Sequence, residues 1–160
     1  MVRQEVFRAA FEEWVPQALQ VAYSYAEGHD AVERFWVVAY LGETVTPSVV
    51  YSAAGKVLRP HELDQAIPEL DCSTEAQLEY LLTPLLELTS ELDDKVTAAG
   101  EELPTRIVLR YDVAEEEMNA DMTYDDLQPG VPESKQVSNT ELIEQWVARL
   151  RTTGNDSASA

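Results

Sequence analysis

Residues 35 to 41 read Phe-Trp-Val-Val-Ala-Tyr-Leu, an unbroken apolar run without a charge. A strand points successive side chains to opposite faces, so such a run needs cover on both sides. Its aromatic and β-branched residues favour a pleated backbone over a helical one. The chain is therefore expected to build a sheet with this segment as a central strand.

The flanking sequence predicts its neighbours. Leu19, Val21, Tyr23 and Tyr25 alternate with Gln20, Ala22, Ser24 and Ala26, the period of a strand. With a turn at Glu27-Gly28-His29-Asp30, residues 18 to 42 read as a β-hairpin. A turn at Gly42-Glu43-Thr44 leads to a third strand at Val49-Val50-Tyr51-Ser52, and Ala53-Ala54-Gly55-Lys56 then leads away. Further on, Ile107, Leu109, Tyr111 and Val113 alternate with Arg106, Val108, Arg110 and Asp112. After a turn at Ala114-Glu115-Glu116-Glu117, Met118, Ala120, Met122 and Tyr124 oppose Asn119, Asp121, Thr123 and Asp125. This is a second hairpin, half apolar and half polar.

Helices surround these strands. Val2, Val6, Phe7, Ala10, Phe11 and Trp14 make an amphipathic stripe that Pro16 is expected to end. A short helical turn follows Pro60, from about His61 to Ala66. Thr74-x-x-Gln77 has the form of a capping box and opens a long helix running to Gly100. Its apolar face carries Ala76, Leu78, Leu81, Leu82, Leu85, Leu86, Leu88, Leu92 and Val96, with Pro84 predicting a kink or split near Thr83. Ser138-x-x-Glu141 opens a last helix bearing Leu142, Ile143, Trp146, Val147 and Leu150. The order is α-β-β-β-α-β-β-α. Short turns make antiparallel pairs, so the expected fold is α+β, a single antiparallel sheet of about five strands with helices on one face. Residues 1–151 form one domain, and the small, polar 152–160 reads as a disordered tail.

At 160 residues and 45% hydrophobic content the chain can bury roughly 70% of its unfolded surface, so the fold needs neither metal nor disulfide. The lone cysteine, Cys72, suits a reducing compartment. The N-terminal sequence lacks the apolar run of a secretion signal. No window reaches the ~18 apolar residues of a membrane span. The sequence thus reads as cytoplasmic.

Charge narrows function further. Thirty acidic residues stand against eleven Lys and Arg, a net charge of −19. Phosphate backbones and anionic lipids are repelled, while a basic protein is attracted and its encounter rate raised. Twelve acids and one base, Lys95, fall between His61 and Glu102, and eight acids with no base between Asp112 and Ser134. If the two stretches adjoin, they form one electronegative surface.

Catalytic chemistry is hard to find. His29 sits in a turn and His61 beside Pro60, neither with a partner at metal or nucleophile spacing. Cys72 precedes a helix N-terminus, a position that can lower a thiol pKa, but no histidine motif accompanies it. No glycine-rich phosphate loop is present. Asp121 and Asp125 share a strand face with Asn119 and Thr123, Asp126 adjoins them, and Asp112 can oppose them on the neighbouring strand. Such oxygens suit Mg²⁺ or Ca²⁺, yet no D-x-D-x-D-G loop is present. The expectation is a protein with no cofactor whose Asp112, Asn119, Asp121, Thr123, Tyr124, Asp125 and Asp126 contact a partner. Tyr111 falls on the apolar side of its strand and reads as core, Tyr124 as core or anchor.

The run Met118-Asn119-Ala120-Asp121-Met122-Thr123-Tyr124-Asp125-Asp126-Leu127, the polar loop after it and the helix carrying Trp146 resemble YezG-like immunity proteins. Tyr23-x-Tyr25, the aromatic strand 35–41 and the long helix before a Pro-led strand follow the same order, and the resemblance spans about residues 5 to 150. It implies a cytoplasmic antitoxin that neutralises a basic toxin domain, nucleases included. By position, Tyr124, Asp125, Asp126 and Trp146 match the family pattern, Trp146 as a core residue rather than a contact. The Arg-Gln pair the family carries ahead of the tryptophan has only Lys135-Gln136 as its counterpart. Two other readings stand beside this one: a regulatory or secretion-chaperone binding protein, and a carboxylate-based metal binder or hydrolase.

Overall fold

The computed structural model describes residues 4–41 and 44–159. Its sheet has five antiparallel strands in the order β3-β2-β1-β4-β5: β1 Val32–Tyr40, β2 Thr46–Ala53, β3 Lys56–Leu58, β4 Arg106–Asp112 and β5 Glu117–Thr123. The helices are α1 Glu5–Tyr25, α2 Thr74–Gln77, α3 Thr83–Ala98 and α4 Asn139–Thr153, with 3₁₀ turns at Pro60–Gln65 and Glu133–Lys135. The α+β class, the element order and the number of strands are those the sequence predicts. The expected turn residues Gly42 and Glu43, with Val2 and Ala160, lie outside the described residues.

The apolar run of β1 takes the middle place and is covered twice. Phe35, Val37 and Ala39 join Val49, Tyr51, Ile107 and Leu109 in one core under α1 and α3. Trp36, Val38 and Tyr40 join Val50 and Val108 in a second core under α4, with Leu142, Ile143, Trp146, Val147 and Leu150. Helices on one face alone is therefore corrected. Apolar side chains alternate to both sides of β1, and a single helical layer would leave one set in water.

Three local expectations also change. Residues 19 to 25 are not a strand: α1 continues through Pro16 to Tyr25. Proline costs a helix interior about 3 kcal/mol. Continuing the helix buries Ala18, Ala22 and Tyr25 against the sheet, and a large apolar side chain contributes about 1.5–3 kcal/mol when buried. Leu19, Val21 and Tyr23 pack partly as well, so burial offsets the proline. The missing strand is supplied by β3. Ala54 and Gly55, at φ 52° and 75°, form a left-handed two-residue turn, the kind that closes a right-twisted hairpin.

The long helix is split as Pro84 requires. A π turn at Leu78–Leu82 joins α2 to α3, and the Thr83 N–H reaches back to the Leu78 carbonyl. The cap is Ser73, whose hydroxyl accepts from the Ala76 N–H at 3.1 Å, rather than Thr74. At α4 the cap is Ser138 as expected, accepting from the Glu141 N–H at 3.2 Å.

Residues 152 to 159 are not a disordered tail. Thr152 and Thr153 complete α4, Gly154 turns left-handed at φ 74°, and 155–159 fold back over the sheet. Ala158 is wholly buried there. The reason lies in the wall beneath it: Trp36, Arg106, Trp146 and Arg149 each donate to this segment.

Candidate partner-binding surface

The expected contact residues converge only in part. In the β4–β5 register, Asp121 faces Val108, Asn119 faces Arg110 and Thr123 faces Arg106. Asp112, Asn119, Asp121 and Thr123 thus share the sheet face on which α4 lies. Two of these carboxylates are already engaged. Asp112 is buried and ion-paired with Arg34 and Arg110. Asp121 accepts the Ala158 N–H at 2.8 Å. Thr123 is buried, and its hydroxyl accepts from the Asp125 N–H at 3.1 Å.

Tyr124 is half-buried at the strand end, its hydroxyl accepting from Gln4 Nε2 at 2.9 Å. Asp126 is exposed and its carboxylate accepts the Gln128 N–H at 2.9 Å. Asn119 and Asp125 are exposed. Of the seven, then, Asn119, Asp121, Asp125 and Asp126 are exposed, along and just beyond edge strand β5, Asp121 with one oxygen held by the Ala158 N–H. Tyr111 packs against Phe35 at a tilt, centroids 5.5 Å apart, on the core side as its alternation predicts.

The acidic stretches meet at one end of the molecule. Glu101, after α3, accepts the backbone N–H groups of Val6 and Phe7 at 3.0 and 2.8 Å, capping α1 where Gln4 makes no side-chain cap. Gln4 in turn holds Tyr124. The first turn of α1 thus ties the end of α3 to the Tyr124-Asp125-Asp126 stretch.

A larger acidic surface lies over the helical layer. Across 5–27 and 74–102 there are twelve carboxylates against Arg8 and Lys95. Glu12, Glu13, Glu75, Glu79, Glu87 and Glu91 are exposed. Lys95 bridges Glu13 of α1 and Glu91 of α3 at 3.6 and 3.0 Å. Cations gather on the other side: Arg34, Arg106 and Arg110 on the α4 face of the sheet, Arg149 and Arg151 on α4, and Arg59 ion-paired with Glu144 of α4. Asp112, Glu117 and Asp121 on the same sheet face, Glu141 and Glu144 on α4 and Asp156 balance them, so this side is near neutral where the helical layer is strongly negative.

Apolar anchors stand among these acids. Leu78, Tyr80 and Leu86 are 49%, 61% and 43% exposed. From the sequence, Leu78 and Leu86 belong to the buried face. The π turn adds a residue to one helical turn and rotates that face, so Leu81, Leu85, Leu92 and Val96 go inward and Leu78 goes out. Pro84 was the only signal that could have shown this.

His29 Nδ1 accepts the Ala31 N–H at 3.0 Å and its Nε2 lies 3.4 Å from Glu69. Burial pushes the Cys72 thiol up, the opposite of activation. Burial alone would raise the Glu62 carboxyl, but the Arg59 N–H and the Arg151 guanidinium outweigh it and hold it below its ordinary value. Among the described residues, no group of three or more His, Cys, Asp or Glu is placed to hold a metal ion. Among them too, no helix is long and apolar enough to cross a membrane.

No protein-family model and no curated protein matches the sequence.

Proposed function

We propose that this chain is a non-enzymatic binding protein of the immunity or antitoxin kind, docking a basic partner through its acidic helical layer. The observation that carries the reading is the layered charge: twelve carboxylates over 5–27 and 74–102 against Arg8 and Lys95, with Leu78, Tyr80 and Leu86 exposed among them. A charged rim around a few apolar and aromatic anchors is how tight interfaces divide their tasks. The charge speeds encounter and selects partners, while the anchors resist dissociation. The resemblance to YezG-like immunity proteins supports a toxin as that partner, and the net charge of −19 supports a basic one.

The test begins with the polypeptide encoded beside this chain. Coexpression should relieve the toxicity of a basic neighbour, and the purified pair should form a complex whose association slows steeply with salt. A neighbour that is harmless, or a complex indifferent to salt and to Glu79→Lys with Glu87→Lys, argues against the reading.

A further inference from the structure

The segment 155–159 lies in a groove built like a peptide site. Its floor is the α4 face of β1, β4 and β5, and α4 forms its wall. The donors address the main chain: Arg106 Nε reaches the Ala158 carbonyl at 2.7 Å, Trp146 Nε1 the Ser157 carbonyl at 3.1 Å, and Arg149 Nη1 the Ser159 carbonyl at 2.7 Å. Only two side chains of the segment are read. The Asp156 carboxylate takes Trp36 Nε1 at 3.0 Å and Arg110 Nη1 at 3.1 Å. The Ala158 methyl fills a closed apolar site, its N–H held by Asp121.

The donors are themselves fixed. Arg106 is 4% exposed, with its guanidinium carbon 5.5 Å from the Tyr40 ring centroid and Nη1 3.2 Å from the Tyr40 hydroxyl. Trp36 and Trp146 are 3% and 1% exposed and meet edge to face. By contrast, 155–159 buries little apolar surface, one alanine side chain, and is joined to α4 through left-handed Gly154. Rigid walls around a strand held by polar contacts rather than by a packed apolar face describe a receptor with an exchangeable occupant. Arg106, Arg110 and Arg149 line the groove against Asp121 and the Arg110-paired Asp112, so an uncovered groove carries a net positive charge of one in an otherwise acidic molecule.

We infer that this groove binds an extended peptide segment of a partner protein carrying a carboxylate two residues ahead of a small side chain, and that 155–159 occupies it in cis when no partner is present. The main-chain donors accept any extended strand. The Trp36–Arg110 pair selects Asp at the first position, and the closed Ala158 site excludes side chains larger than a methyl or hydroxymethyl at the third. This site is separate from the acidic helical layer and does not depend on what that layer binds.

The probe is a fluorescein-labelled peptide, Gly-Asn-Asp-Ser-Ala-Ser with blocked ends, followed by anisotropy on the full chain. A covalently tethered strand competes at roughly millimolar effective concentration, so the unaltered chain should bind the probe weakly. Asp156→Asn or Ala158→Glu loosens the cis strand without touching the walls. Each should tighten probe binding at least about tenfold, an increase that Arg149→Ala in the same chain removes. The peptide with Asn in place of Asp should bind none of them. No binding by either variant, with circular dichroism showing both folded, overturns the proposal. Unfolding of both overturns it too, by showing the strand to be a fixed part of the core. If light scattering shows the unaltered chain doubling in mass while Asp156→Asn stays monomeric, the strand comes from a second copy and the partner reading fails.

Discussion

Glu101 belongs to the loop after α3, yet both its carboxylate oxygens serve the start of α1. It supplies negative charge where the helix dipole is positive and satisfies two backbone donors that have no intrahelical partner. Glu101→Ala should lower stability by about 1 kcal/mol, seen as a lower urea midpoint at unchanged slope. Three tyrosines give the alkaline limit. Burial raises Tyr25, Tyr40 and Tyr51 above the ordinary phenol value of 10, with the Arg106 and Arg149 guanidiniums partly opposing it at Tyr40. A group whose folded pKa is raised stabilises the fold below its unfolded value and loses that contribution as pH climbs through the folded one. Denaturation midpoints should therefore fall above about pH 10. In an ultraviolet titration, these three of the seven tyrosines should ionise late, with unfolding. Cys72, also raised by burial, should alkylate at about pH 8 more slowly than an unstructured peptide thiol.

The most informative element is the helix interrupted at 78–82. If the π turn sets the register, Leu85→Ala should cost about 2–5 kcal/mol, a core cavity, while Leu78→Ala, on the same face in an unbroken helix, should stay within about 0.5 kcal/mol. Equal effects would mean an unbroken α-helix. Here the sequence was legible as far as Pro84 and its split, but not as far as which leucines turn outward, since the added residue leaves no mark on local periodicity. The first helix shows the converse. Leu19, Val21, Tyr23 and Tyr25 alternate like a strand, yet Trp14, Ala18, Ala22 and Tyr25 form a helical stripe of mostly small residues that propensity undervalues. Strands 106–112 and 117–123, α4 and its Ser138 cap were legible because their periodicity and capping agree. The 54–55 turn and β3 were missed because a three-residue strand has too little pattern to detect.

At the scale of the molecule, two apolar faces on one sheet give two layers, and charge follows them: a strong acidic excess over α1 and α3, and near balance around α4. The individual contact residues were less legible than the charge. Asp112 and Asp121 share a face as expected, but Arg34 and Arg110 take one and the Ala158 N–H the other, pairings that only tertiary contact reveals. Charge reversal should separate the layers. Glu79→Lys, Glu87→Lys and Glu91→Lys lie on exposed helix positions, so each should leave stability within about 0.5 kcal/mol while together they weaken partner capture severely. The most direct measurement is affinity capture from extract of the source cell, with the unaltered and triply reversed chains as parallel baits at about 50 and about 500 mM salt. The account predicts a basic polypeptide held by the unaltered chain at low salt, shed at high salt and not held by the reversed chain. A partner that is acidic or neutral, and held equally by both baits at both salts, would contradict it.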